Sequence, residues 1–220
     1  MGSGGAGSVE EVLACEINPA AAFALETNAA PKHIFQDSTA LVDDSASAWC
    51  FKHGARCKKN FVKRIDLYIA GFSCKANSLQ NSERFTKSPL ASSHYESFLD
   101  CTRFIRKFNP LWVILENVTG ISLPTSKGKT DSVLDHVMKE LHSVEGYLWR
   151  YEHLDSVCLP DSRPRVYFIG TRQSQHHMDK ASTLLSELKA DCEQCPCHHI
   201  DGFLLPNPEK SPFFDPCIAA

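Results

Sequence analysis

Ile65-Asp66-Leu67-Tyr68-Ile69-Ala70-Gly71-Phe72 runs directly into Ser73-Cys74-Lys75-Ala76-Asn77-Ser78. A short apolar run closed by glycine and a polar stretch predicts a buried strand over Ile65–Phe72, followed by a turn. A cysteine in a sequence is more often a buried thiol than a reactive one. A thiol placed immediately after a strand, in a polar turn, is a candidate nucleophile when its neighbours lower its pKa.

Working outward, Tyr95, Phe98, Leu99, Thr102 and Ile105 recur at helical spacing and predict an amphipathic helix over Ser92–Phe108, ended by Asn109-Pro110. Leu111–Leu115 reads as a second buried strand running into Glu116-Asn117-Val118. Val133, Leu134, Val137, Met138 and Leu141 mark another helix, and Tyr147–Leu154 and Arg165–Gly170 read as strands. Upstream, Val9–Ile17 holds an apolar strand, Ala20–Thr27 a short alanine-rich helix behind Pro19, and His33–Phe35 a brief strand before Asp37. Ser38–Lys63 shows no period and reads as a long loop with some helix, basic toward its end. Lys180–Ala190 reads as a helix.

Strands alternating with helices predict an α/β fold with a mostly parallel, doubly wound sheet and helices on both faces. In such sheets ligands bind beyond the carboxyl ends of the strands. Glu16, Asp37, Cys74 and Glu116 each stand at or just past the end of an apolar strand, so the rule gathers them on one rim.

The 220 residues suffice for one domain with a real core and a small appendage. A net charge of -3 gives no support to a bulk electrostatic grip on nucleic acid; for action on DNA a basic surface must be local or lie in sequence absent here. No apolar run reaches bilayer length, and the first residues lack a signal-peptide pattern, so an intracellular location is expected, nuclear in a eukaryote. The ten cysteines, scattered from Cys15 to Cys217, are then expected to be mostly reduced thiols.

Three motifs carry a resemblance. The Gly71-Phe72-Ser73-Cys74-Lys75 turn resembles the nucleophile motif of the cytosine-C5 methyltransferases, where a strand ends in Gly-Phe-Pro-Cys-Gln. Glu116-Asn117-Val118 is similar to the Glu-Asn-Val motif of that family, and Ser162-Arg163-Pro164-Arg165 to its Gln-x-Arg-x-Arg motif. They occur in the family order. The resemblance implies a Rossmann-like, S-adenosylmethionine-dependent methyltransferase. Cys74 would be the thiolate that adds to cytosine C6, Glu116 the group that holds N3 and the exocyclic amine, and Arg165 and Arg163 cations that stabilise the adduct. For a duplex substrate it implies base flipping.

On the cofactor side, the resemblance implies that Glu16 binds the ribose hydroxyls of S-adenosylmethionine and Asp37 contacts its adenine amine. Gly2, Gly4 and Gly5 resemble a remnant of the family's Phe-x-Gly-x-Gly-Gly loop, though a flexible terminus has the same composition. Ser73 joins this cofactor-binding set.

The chain also departs from the family pattern. Ser73 replaces a proline that stiffens the turn, Lys75 replaces a glutamine, and Asp161 stands where the third motif opens with glutamine. The strand that precedes the glycine loop in the family is expected to be missing, leaving its two neighbours without the strand between them. The expected organisation is a methyltransferase catalytic domain over residues 1–172 and, over 173–220, a Cys/His/Pro-rich start of a target-recognition region.

Two Cys/His groups need weighing. Cys192, Cys195, Cys197, His198 and His199 offer enough zinc ligands in number, but in one cluster rather than the usual two separated pairs, and no metal is assigned to them. Cys50, His53 and Cys57 read as part of a reduced, basic loop. Three functions remain open: a DNA cytosine-C5 methyltransferase, an RNA (tRNA) methyltransferase of the same family, and an inactive fragment. No membrane partner or obligate protein partner is inferred.

Overall fold

The computed structural model describes residues 10–59, 64–78, 81, 90, 93–125, 129–155, 163–172 and 174–194. Their strands form two four-stranded sheets. The first has the order β1 (Leu13–Cys15), β2 (His33–Phe35), β3 (Ser47–Cys50), β4 (Ala55–Lys58). In the second, β5 (Leu67–Gly71) pairs with β6 (Trp112–Val118), and β6 with β8 (Arg165–Arg172), which carries β7 (Tyr147–Leu154) on its other edge.

Two helical crossovers build the parallel pairs. Helix α1 (Pro19–Asn28) connects β1 to β2; Asn18 caps it by accepting the Ala20 amide, and Pro19 occupies the first turn, where no amide is needed. Helix α3 (Ser93–Phe108) connects β5 to β6. The expectation of a mostly parallel sheet is corrected: β2–β3, β3–β4, β6–β8 and β7–β8 are antiparallel. The reason is connection length. The segments after β3 and after β7 are too short to hold a crossover helix, so each chain must turn straight back.

The expected long loop over Ser38–Lys63 is corrected as well. It contains helix α2 (Ser38–Val42), capped by Asp37, and the β3–β4 hairpin. Strands of four residues, with Trp49 and Arg56 on their outer face, are too short to display a period. Helix α5 extends over Gln175–Gln194, longer than the Lys180–Ala190 expected, and buries Met178 and Ala181.

Helix α3 serves both sheets. Phe98, Cys101 and Ile105 enter the larger core with Phe72, Val113, Leu115 and Phe168, while Phe104 enters the smaller one with Phe35, Leu41, Ala48 and Cys50. Each fully buried phenylalanine contributes about 1.5–3 kcal/mol from area alone. Asp100 on the same helix is buried and accepts the Ser38 and Thr39 hydroxyls at 2.8 Å each, which ties α2 to α3. Helix α4 (Val133–His142) starts in a reciprocal Ser132–Asp135 capping box and covers the second sheet with Val133, Val137 and Leu141.

Candidate active site

The carboxyl ends of β5 and β6 meet at the register pair Gly71–Glu116. Along β6 the side chains alternate, so Val113, Leu115 and Asn117 are buried while Glu116 takes the other face. Gly71 lets the carboxylate come close: a Cβ there would lie 3.3 Å from Glu116 Oε2, which would have to give by a few tenths of an ångström.

The turn after β5 is fixed from three directions. Asn117 Nδ2 donates to the Phe72 carbonyl at 3.0 Å. The Ser73 amide donates to Ser97 Oγ at 2.9 Å, and Ser73 Oγ lies 3.0 Å from His94 Nδ1, both on the first turns of α3. The Cys74 carbonyl accepts the amides of Asn77 and Ser78 at 2.9 Å each. A proline at position 73 would have no amide to give Ser97, so the serine anchors by hydrogen bonding a turn that proline stiffens covalently.

These anchors present Cys74 to an open cavity of about 260 Å³ that Lys75, Glu116, Arg163 and Arg165 also line. Arg165 Nε contacts Glu116 Oε1 at 2.7 Å, with both side chains partly shielded from solvent. Arg163 is exposed, and its amide donates to Asp155 Oδ1 at 2.7 Å. One thiol, one carboxylate and two guanidinium groups from three separate strand ends therefore share one cavity. Such a set can hold a heterocycle through its amide-like edge, attack it with sulfur and stabilise the charge that develops.

Glu16 follows β1 and Asp37 follows β2, at the same ends of their strands as Gly71 and Glu116 on theirs; neither lines the Cys74 cavity. Glu16 Oε1 accepts the Asn18 amide at 2.8 Å, and Asp37 Oδ1 accepts the Thr39 amide at 2.9 Å. Each carboxylate keeps its second oxygen as an acceptor, a donor-seeking pair suited to ribose hydroxyls and an exocyclic amine. Gly2, Gly4, Gly5, Asp161 and Ser162 lie outside the described residues, as do Cys195, Cys197, His198 and His199.

Residues 2–199 match the family model for the C-5 cytosine-specific DNA methylases. The chain belongs to that family. Among curated methylase relatives, the type II methyltransferase M.DdeI of Desulfomicrobium norvegicum is 32% identical over 116 residues, which is 52% of this chain and 26% of that protein. M.NlaIV of Neisseria lactamica is 24% identical over 132 residues, 58% of this chain and 30% of the relative. The matched part thus spans under a third of either relative. The fold is shared with the crystal structure of a protein assigned as a prophage-encoded DNA modification methyltransferase of E. coli, with a TM-score of 0.51, 20% identity, and coverage of 76% of this chain and 40% of that one.

Around this cavity, two supporting residues lie outside every motif. His94 and Ser97 lie three apart, on one face of α3, a polar pair beside an apolar stripe that the periodicity could have flagged. Asn117 was visible only as part of its motif; its partner, the Phe72 carbonyl, is 45 residues away in sequence.

Proposed function

We propose that this chain carries the catalytic machinery of a DNA cytosine-C5 methyltransferase. The observation that carries the reading is the convergence of Cys74, Glu116, Arg163 and Arg165 on one cavity. A cytosine rotated out of the duplex would enter it, because the thiol cannot reach C6 of a stacked base. Cys74, as thiolate, forms a bond to C6, and the displaced electron pair makes C5 nucleophilic. Glu116 holds N3 and the exocyclic amine and stabilises the protonated ring. Arg165, already paired with Glu116, orients that carboxylate, and with Arg163 it stabilises the adduct.

S-adenosylmethionine, held by Glu16 at the ribose hydroxyls and by Asp37 at the adenine amine, would supply an electrophilic methyl group to C5, its S–CH3 bond breaking to leave the neutral thioether S-adenosylhomocysteine. Ser73 positions the turn between the cofactor and base sides. Loss of the C5 proton to a base then expels Cys74 and restores the aromatic ring, so the thiol leaves unchanged.

DNA is the substrate of choice because the matching family model describes DNA methylases. The test is covalent trapping on a duplex containing 5-fluorocytosine with S-adenosylmethionine present. Fluorine at C5 cannot leave as a proton does, so the Cys74–C6 bond should persist through denaturation. Trapping on single-stranded or transfer RNA alone would move the substrate to RNA. Trapping that survives Cys74→Ser would place the nucleophile elsewhere.

A further inference from the structure

At the other end of β2 from Asp37 lies a second cluster of ligating side chains. His33 opens β2, Cys50 closes β3, His53 stands in the turn that follows and Cys57 lies on β4. One ligand atom from each of the four lies within 4.8 Å of all the others. The hairpin register explains the convergence. Cys50 pairs with Ala55 and Cys57 with Ala48, so the two thiols are diagonal neighbours on one face of the hairpin. Gly54, at a φ of +57°, supplies the left-handed residue that turns the chain and folds His53 back over them. His53 Nδ1 lies 3.2 Å from Cys50 Sγ and 3.3 Å from Cys57 Sγ. His33 comes in from the neighbouring strand, its ring centre 5.0 Å from that of His53.

We propose that His33, Cys50, His53 and Cys57 bind one zinc ion as a closed, structural Cys2His2 site. Zinc–sulfur bonds of about 2.3 Å and zinc–nitrogen bonds of about 2.0–2.1 Å in a tetrahedron put neighbouring ligand atoms roughly 3.5 Å apart, close to the separations found here. Two thiols and two imidazoles without a carboxylate select zinc over magnesium or calcium. Four protein ligands leave no open position for water, which separates this site from hydrolytic zinc centres. The Ile34 amide lies 3.4 Å from Cys50 Sγ, the kind of outer hydrogen bond that steadies a metal-bound thiolate. Binding would displace the thiol protons into solvent.

The site has a structural purpose. β3 and β4 have four residues each, and a hairpin of that size is marginal by itself. The ion would fasten this hairpin to β2, whose far end leads into Asp37.

The test uses the full chain with Cys192, Cys195, Cys197 and Cys217 replaced by serine, so that the tail thiols cannot contribute. This chain, purified with zinc and then dialysed against a weak chelator, should retain about one zinc per molecule. Cobalt substitution should give the absorption of a tetrahedral ion with thiolate charge transfer. Cys57→Ser should lower retained zinc at least tenfold. Cys57→His, which keeps four ligands and guards against a mere folding failure, should hold the metal with about half the charge-transfer intensity, since one of two thiolates is gone. Absence of zinc from the tail-substituted chain, retention unchanged in Cys57→Ser, or loss of both thiols to a Cys50–Cys57 disulfide would each overturn the proposal.

Discussion

Cys74 and the Cys50–Cys57 pair are the same chemical group in two different settings. Cys74 stands at the end of β5, facing a cavity with two arginines, a lysine and a glutamate, and among the described residues no imidazole lines that cavity. Cys50 and Cys57 share the Nδ1 atom of a single histidine, with a second histidine ring close by. Open space beside a sulfur leaves it free to attack a substrate. Several ligands turned toward one point favour a thiolate that is held. What a cysteine can do is thus decided by which strands carry its neighbours, and the two sheets decide it in opposite ways.

The sharpest test of that contrast is Cys74→Ser. It should lower covalent trapping of 5-fluorocytosine DNA at least about a thousandfold, the scale of losing a nucleophile, while zinc retention by the His33–Cys57 cluster is unchanged. Equal damage to both readouts would mean that the two cysteine settings are not separate. A smaller loss is expected for Glu116→Gln, which keeps the shape but loses the charge that stabilises the protonated ring. Trapping rates measured by gel should fall about a hundredfold.

Asn117→Ala addresses the support of the Cys74 turn rather than its chemistry. Leaving the Phe72 carbonyl without its partner should cost about 1–3 kcal/mol in a chemical denaturation curve and slow trapping as well. If stability drops while the trapping rate does not, Asn117 holds the fold but not the thiol.

The mildest effect should come from acid, on the sheet that carries the Cys/His cluster. The Lys59 ammonium, helped by Ser45, holds the Asp43 carboxyl below its ordinary value of 3.8. Because the folded pKa is the lower one, the stabilisation is fully present above the ordinary value and is lost as pH falls from there through the folded pKa. Thermal melts from about pH 5 downward should therefore decline less steeply for Asp43→Asn than for the parent chain. Parallel curves would remove the pair from the acid response. Since Asp43 is exposed, the difference should be small.

The two regions also differ in how far they could be read in the sequence. Around Cys74, the apolar runs Ile65–Phe72 and Leu111–Leu115 place the thiol and Glu116 at strand ends on one rim, and the third of the ordered motifs adds the arginines by resemblance. The β3–β4 hairpin showed nothing comparable. Its strands are too short for a period, and its four ligands span His33 to Cys57 with one of them on a different strand pair. Read in the sequence, Cys50, His53 and Cys57 were three residues of a basic loop; the missing fourth ligand, His33, belongs to a strand whose pairing only the fold reveals. The antiparallel return of β8 was hidden for a similar reason, since strand direction is set by the length of a connection and not by the composition of the strand.

Helix α3 leaves the molecule with a distinct mechanical character. β1 and β5 are both edge strands, and the hydrogen bonds described between the two sheets' regions come from Asp100 and Lys107 of this helix, reaching Ser38, Thr39, Val42 and Asp43. Under a pulling force applied across the sheets, no ladder of main-chain bonds would share the load among the described residues. The load would fall on these side chains and on the packing of Phe104, Tyr68 and Ile65 against the smaller core, where the Tyr68 and Phe104 rings stack with centroids 4.3 Å apart. Two plates joined by side-chain packing rather than by a ladder should yield first at those contacts, with each plate still intact.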